Sequence, residues 1–216
     1  MKHLAIGFLI LAFCLVVGMP SEAEIDSAKA EAVWLFDDGA GGKVVDSSGH
    51  KRNGTIVGKD KWVKGKFGGG LELNGTQNNE VIIEGYKGIG GNSPRTTVLW
   101  YWTKKAGRCR LVCWGANDTA IKYHVRIHEG DTFRVETQGG QLFANKPKLT
   151  DGEWHHLACV FPPGGKMCHD HILYVDGVEI KDRGGNNVGV DTDTKTNDVE
   201  IGWNKWVGHG DPAQGV

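Results

Sequence analysis

The chain has 216 residues, 39% of them hydrophobic and eight of them Trp, which suits one domain with a sizeable core and leaves little room for a second. A formal net charge of −1 gives no basis for attraction to nucleic acid or to an anionic membrane surface. The 33 Gly, about twice ordinary usage, are spread along the chain and so mark turns of an all-β fold and not a low-complexity tract.

Lys2 and His3 precede an apolar run from Leu4 to Val17, followed by Gly18, Pro20 and Ser21-Glu22-Ala23. Small residues at Ser21 and Ala23 fit a signal-peptidase site before Glu24. The run of 14 residues is too short for an ordinary membrane span. Phe13, not a small residue, precedes Cys14, which argues against a lipid anchor. The expectation is a signal peptide over 1–23, a loose polar leader over 24–31 and one domain over 32–216, secreted or extracytoplasmic, with no membrane span in the mature chain.

Val33-Trp-Leu-Phe36 reads as the opening strand, and Asp37-Asp38-Gly39 turns out of it. Short strands are predicted at 70–73, 80–84, 96–104, 110–114, 122–128 and 132–137. A hairpin follows, and then a strand at 199–203. Turn residues separate them and no helical period intervenes, as in a β-sandwich.

The hairpin is the most informative stretch. In Asp151-Gly-Glu-Trp-His-His-Leu-Ala-Cys-Val160, bulky groups alternate on both faces, as in a strand covered on both sides. Ile172-Leu-Tyr-Val-Asp176-Gly177 reads as a strand ending in a tight Asp-Gly turn. With cleavage removing Cys14, Cys109, Cys113, Cys159 and Cys168 remain, an even number in an oxidising compartment. Cys159 and Cys168 are symmetric about Pro163-Gly164, so a regular register sets them opposite each other, ~4.5–5.5 Å apart and within disulfide range. Cys109 and Cys113 would lie ~13 Å apart on a straight strand, beyond that range. They stay open: the chain bends there, or they bridge to other strands, or they remain thiols.

The hairpin resembles the central stretch of the laminin-G-like jelly rolls of the concanavalin A-like lectin/glucanase superfamily, where "DGxWHHVA…LYVDG" recurs. Trp34-x-Phe36-Asp37-Asp38-Gly39, Asp46-Ser-Ser-Gly49 and Gly54-Thr-Ile-Val-Gly58 resemble the N-terminal signature of the same family, in the right order. The resemblance runs from Trp34 to Asn204. It implies an antiparallel two-sheet jelly-roll sandwich. Family members continue past the "IGWN" segment into a final strand, whereas this sequence stops at Gln214-Gly215-Val216. The expectation is a domain lacking that strand, as in a fragment of a longer protein.

Candidate sites follow from both readings. Many relatives hold a calcium ion, and Leu73-Asn74-Gly75-Thr-Gln-Asn78-Asn79 stands where they often read "F-D-G-x-x-D". Asn74, Asn78 and Asn79 with Asp191 and Asp193 are the candidate ligands; amide oxygens replacing carboxylates weaken such a site. His155, His156, Cys168, His169 and His171 invite a zinc reading, but adjacent His155 and His156 point to opposite sheet faces and the spacing is not that of a zinc site. Trp100 and Trp102 share a strand face and read as core, while Trp203 and Trp206 are the candidate ligand platform. Asn53, Asn74 and Asn117 fit the glycosylation pattern.

No catalytic residues are assigned. Glu80 and Glu84 share a strand face but stand ~13 Å apart, against the ~5–5.5 Å that a retaining carboxylate pair needs. The expected function is a non-catalytic binding module for carbohydrate or an extracellular or cell-surface protein. The alternatives are a glycoside hydrolase of the same superfamily and a structural or adhesion fragment.

Overall fold

The structure, a computed structural model, describes residues 27–74, 78–129, 131–145, 148–202 and 214–215. The chain divides into two units, Met1–Ala30 and Glu31–Val216. In the first, the described part forms the 3-10 helix Ser27–Lys29. The expected signal peptide, Trp203 and Trp206 lie outside the described residues.

The second unit is built of antiparallel strands. In chain order these are β1 Lys43–Val44, β2 Gly54–Val57, β3 Lys61–Lys64, β4 Gly69–Asn74, β5 Glu80–Ile83 and β6 Arg95–Trp102. Next come β7 Cys109–Gly115, β8 Lys122–His128, β9 Thr132–Glu136, β10 Gln141–Ala144 and β11 Trp154–Phe161. A 3-10 helix, Cys168–Asp170, precedes β12 Ile172–Val175, β13 Val178–Glu179, β14 Arg183–Asn186, β15 Val199–Ile201 and β16 Gln214–Gly215. They form a nine-stranded sheet, β1-β2-β5-β15-β7-β8-β9-β10-β14, a four-stranded sheet, β13-β12-β11-β6, and a three-stranded sheet, β16-β4-β3.

Each predicted strand after the first lies within two residues of an observed one. The first is not a strand. Trp34 makes a single bridge to Asp46, and Phe36 has φ 58°, a left-handed backbone that ends extended structure. The segment is held instead by the Asp46 carboxylate, which accepts from the backbone N–H of Val33 (3.0 Å), Ser48 (2.9 Å) and Arg52 (2.9 Å). The Asp-Ser-Ser-Gly signature is therefore a backbone clasp.

The core lies between the larger sheets. On β8, Tyr123, Val125 and Ile127 are fully buried, as are Phe133 on β9, Leu157 and Cys159 on β11 and Leu173 on β12. They belong to one hydrophobic cluster. The Tyr123 hydroxyl and Thr97 Oγ1 on β6, 3.0 Å apart, tie the two sheets together. The turn after β12 matches expectation. Val175 pairs with Val178 around Asp176 (φ 51°) and Gly177 (φ 79°), the two positive φ angles of a type I′ hairpin.

The cysteines require a correction. Cys159 lies opposite Leu173 on one side and Thr97 on the other, whereas Cys168 opens the 3-10 helix between β11 and β12. The expected Cys159–Cys168 disulfide is not formed; Cys109, Cys113, Cys159 and Cys168 are buried thiols. The cause is register. Pro162 and Pro163 cannot donate to a ladder, and Asp170 Oδ2 accepts from Lys166 N (2.8 Å) and Met167 N (2.9 Å), folding the connection into a turn of its own. A bulge between Arg110 and Val112 shifts β7 by one residue, so Cys109 stands in the row of Ile127 and Cys113 in the row of His124. The two thiols thus take opposite faces.

Candidate functional site

The outer face of the four-stranded sheet carries exposed large apolar side chains. On β6, Thr96, Val98, Trp100 and Trp102 alternate with Thr97, Leu99 and Tyr101. Tyr101 is buried in the core, so Val98 and Trp100 point outward, 51% and 40% exposed. Sequence reasoning placed Trp100 in the core. With bulky groups on both faces of β6, alternation alone cannot say which face is covered.

Trp100 is one side of a small aromatic corner. Phe67, 69% exposed in the turn between β3 and β4, meets it edge-on with ring centroids 5.2 Å apart and planes at 80°. His156, its cross-strand partner on β11, lies 5.2 Å away on the other side. The ammonium of Lys66 sits 5.3 Å from the Trp100 ring. Pairs of this geometry contribute about 0.5–1.5 kcal/mol, and an exposed cation–π contact about 0.5–1 kcal/mol. The corner is therefore held in shape while much of its aromatic area faces solvent.

The end of the hairpin fixes the row that bears His156. Asp176 Oδ1 accepts from His156 N (2.8 Å), Asp176 Oδ2 lies 2.8 Å from His155 Nδ1, and Asp151 Oδ1 lies 3.2 Å from His155 Nε2. Burial works to lower the His155 pKa, but hydrogen bonds and charge from the two carboxylates outweigh it and raise the value. Next along the strand, Trp102 Nε1 donates to Gly152 O (2.6 Å). His155 and His156 do take opposite faces.

The other candidates do not converge. Asn79, at the start of β5, spends its Oδ1 on Lys59 N (2.7 Å), and Asn78 is an exposed turn residue with φ 62°. Asp191 N and Asp193 N bond to Ala120 O and Ile121 O, beyond the end of β7. The Asp191–Asp198 loop leads into Val199, opposite Ile83 at the far end of β5 from Asn79. Asp193 caps its own loop, accepting from Lys195 N, Thr196 N and Thr196 Oγ1. Asn78 and Asn79 therefore lie at the opposite end of β5 from the Asp191–Asp198 loop; the Asn74 side chain lies outside the described residues. Among the described residues no group of three or more His, Cys, Asp or Glu is placed to hold a metal. His171 is buried with Nδ1 on Cys168 O (2.8 Å), and His169 Nε2 lies 3.2 Å from Gln141 O. The zinc reading of the hairpin fails on the same ground. Glu80 is buried at one end of β5 and Glu84 is exposed beyond the other, so no carboxylate pair forms from them.

A model of the concanavalin A-like lectin/glucanases superfamily, of laminin G type, matches residues 74–216. The chain belongs to this superfamily. Its laminin-G-like domain shares the fold of the binding domain of Paraclostridial mosquitocidal protein 1 (14% identity, TM-score 0.55, covering 78% of this chain and 46% of that one). A second similar structure is the botulinum neurotoxin serotype G binding domain (14% identity, TM-score 0.50, 73% and 40% covered). Mouse laminin alpha1 domains LG4-5 align at 18% identity with TM-score 0.45, covering 67% and 37%. The laminin-G-like chain thus spans less than half the length of each of these structures. No curated protein matches it in sequence.

Proposed function

We propose that this laminin-G-like domain is an exported, non-catalytic carbohydrate-binding module that stacks a sugar ring on Trp100, with Phe67 as its edge. The observation that carries the reading is the exposed indole at the centre of an ordered aromatic corner, with a cation above it. The apolar face of a pyranose covers an indole well, and a rigid aromatic offers contact area at low entropy cost. Lys66 supplies a donor for ring hydroxyls at the rim. The fold shared with toxin binding domains supports binding over hydrolysis. The separation of Glu80 from Glu84 supports it too.

A glycan array probed with the soluble protein tests the proposal. Binding of at least one glycan that Trp100→Ala removes is expected. Absence of all glycan binding by the folded protein would refute it. Export is tested by N-terminal sequencing of the protein recovered outside the cytoplasm, which should begin at Glu24.

A further inference from the structure

Lys122 opens β8 opposite Gly115, the last residue of β7, and its side chain lies on the sheet face away from the core residue Tyr123. A lysine at such depth is unusual, with 2% of its side chain exposed. Its Nζ lies 2.5 Å from Glu136 Oε1 on β9, 2.9 Å from Gln138 Oε1 and 3.4 Å from Asn117 Oδ1. Arg134 Nη2, 2.6 Å from Glu136 Oε2, holds that carboxylate with its other oxygen on the lysine.

The turn between β7 and β8, which carries Asn117, is pinned on both sides. Ala120 N donates to Gln138 O (3.0 Å), Ala120 O accepts from Asp191 N (3.0 Å), and Asn197 Nδ2 donates to Gly115 O (2.7 Å). Gly115 has φ 82°, and a Cβ there would stand 2.3 Å from Ile121 O, so only glycine lets the chain turn this closely. Asn117 itself is exposed. A carboxamide, an amine and a carboxylate thus meet at the start of β8, positioned before any reaction.

Burial pushes the Lys122 pKa down, against the pull of Glu136. Burial works to raise the Glu136 pKa, but Lys122 and Arg134 outweigh it and keep the group a carboxylate, the form that accepts a proton. A desolvated lysine with a base at hydrogen-bond distance is an activated nucleophile.

We propose that Lys122 and Asn117 form an intramolecular isopeptide bond, a covalent clasp across the β7–β8 turn, with Glu136 as the proton carrier. Glu136 Oε1 takes a proton from the Lys122 ammonium, and the Nζ lone pair adds to Asn117 Cγ. The proton passes to Nδ2, the Cγ–Nδ2 bond breaks, and ammonia leaves to solvent past the exposed asparagine. Glu136 then takes the surplus proton from Nζ and gives it to the departing ammonia. The products are one secondary amide and one ammonium ion; Glu136 ends as a carboxylate, and nothing is oxidised or reduced. The step occurs once per chain, so a minor fraction of uncharged amine is enough. The clasp is independent of stacking on Trp100.

The test is the intact mass of the full chain as purified, followed by trypsin digestion after denaturation. The bonded protein should weigh one ammonia less than its sequence, and trypsin should not cut after Lys122. The peptide that spans Asn117 and Lys122 should carry the whole mass deficit. Asn117→Ala and Glu136→Gln should each restore the full mass and the cut, and Asn117→Ala should lower the thermal midpoint by several degrees. A cyclised asparagine also loses ammonia but leaves Lys122 cleavable, so that pattern, or a full mass with the cut intact, would overturn the proposal. Mass and cleavage are read in the unmutated chain, so they decide the matter even where a variant fails to fold.

Discussion

His155 Nδ1 lies 2.8 Å from Asp176 Oδ2, so the end of β11 is clamped to the turn that follows β12. The clamp makes stability depend on pH. Burial opposes the charged imidazole, but the bonds to Asp176 and Asp151 raise its pKa above the unfolded value of about 6.5. The His155 contribution is then fully present below about pH 6.5 and is lost as pH rises through the raised folded value. Burial works to raise the pKa of Asp176, and the His155 bond outweighs it to leave the value low; in Asp151 the Glu153 N–H acts first and then His155. Those contributions are present above about pH 4 and fade as pH falls. Urea unfolding should be most resistant between about pH 4.5 and 6.5, and His155→Gln should flatten the decline on the alkaline side. An unchanged slope above pH 6.5 in the variant would count against the clamp.

Asp46 governs the opposite end of the pH range. Burial raises its pKa, yet the N–H groups of Val33, Ser48 and Arg52 and the Ser48 hydroxyl bring it down to about 2. Relative to an unfolded value of about 3.9, that corresponds to about 2–3 kcal/mol at neutral pH. This stability is present above about pH 4 and lost as pH falls towards 2. Asp46→Ala should lower the unfolding free energy by about 2–4 kcal/mol at pH 7. Chemical denaturation of the two proteins measures the difference, and a loss under about 0.5 kcal/mol would show that the clasp adds little.

Trp100→Ala and Phe67→Ala should reduce glycan binding with little change in thermal midpoint, because both rings are substantially exposed. Val81→Ala, in the core, should do the reverse. A midpoint loss of many degrees in Trp100→Ala would mean that the indole is a packing element.

The four described cysteines should be inert as folded thiols. Burial pushes Cys159 up to about 12 and Cys168 up to about 11, so almost no thiolate exists at pH 8. A thiol reagent should label none of them in folded protein produced from Glu24 onward, which lacks Cys14, and all four after unfolding in guanidinium. Two labelled groups in the unfolded, unreduced protein would reveal a disulfide.

The sequence by itself determined the fold class, most strand positions, the Asp176-Gly177 turn and the opposite faces of His155 and His156. Each is a local matter. Period-two alternation and the positive φ angles of a type I′ turn are written in neighbouring residues, and the family motifs are local strings. Tertiary structure alone decided which face of β6 meets solvent, because Leu99 and Tyr101 are as apolar as Val98 and Trp100. It alone set the β11–β12 register that pairs Cys159 with Leu173 and not with Cys168, and the bulge that turns Cys113 away from Cys109. It put Asn79 and the Asp191–Asp198 loop at opposite ends of β5, and it set Glu136 of β9 against Lys122 at the start of β8. Such neighbourhoods depend on strand order and register across the sheet, and no local pattern of residues encodes them.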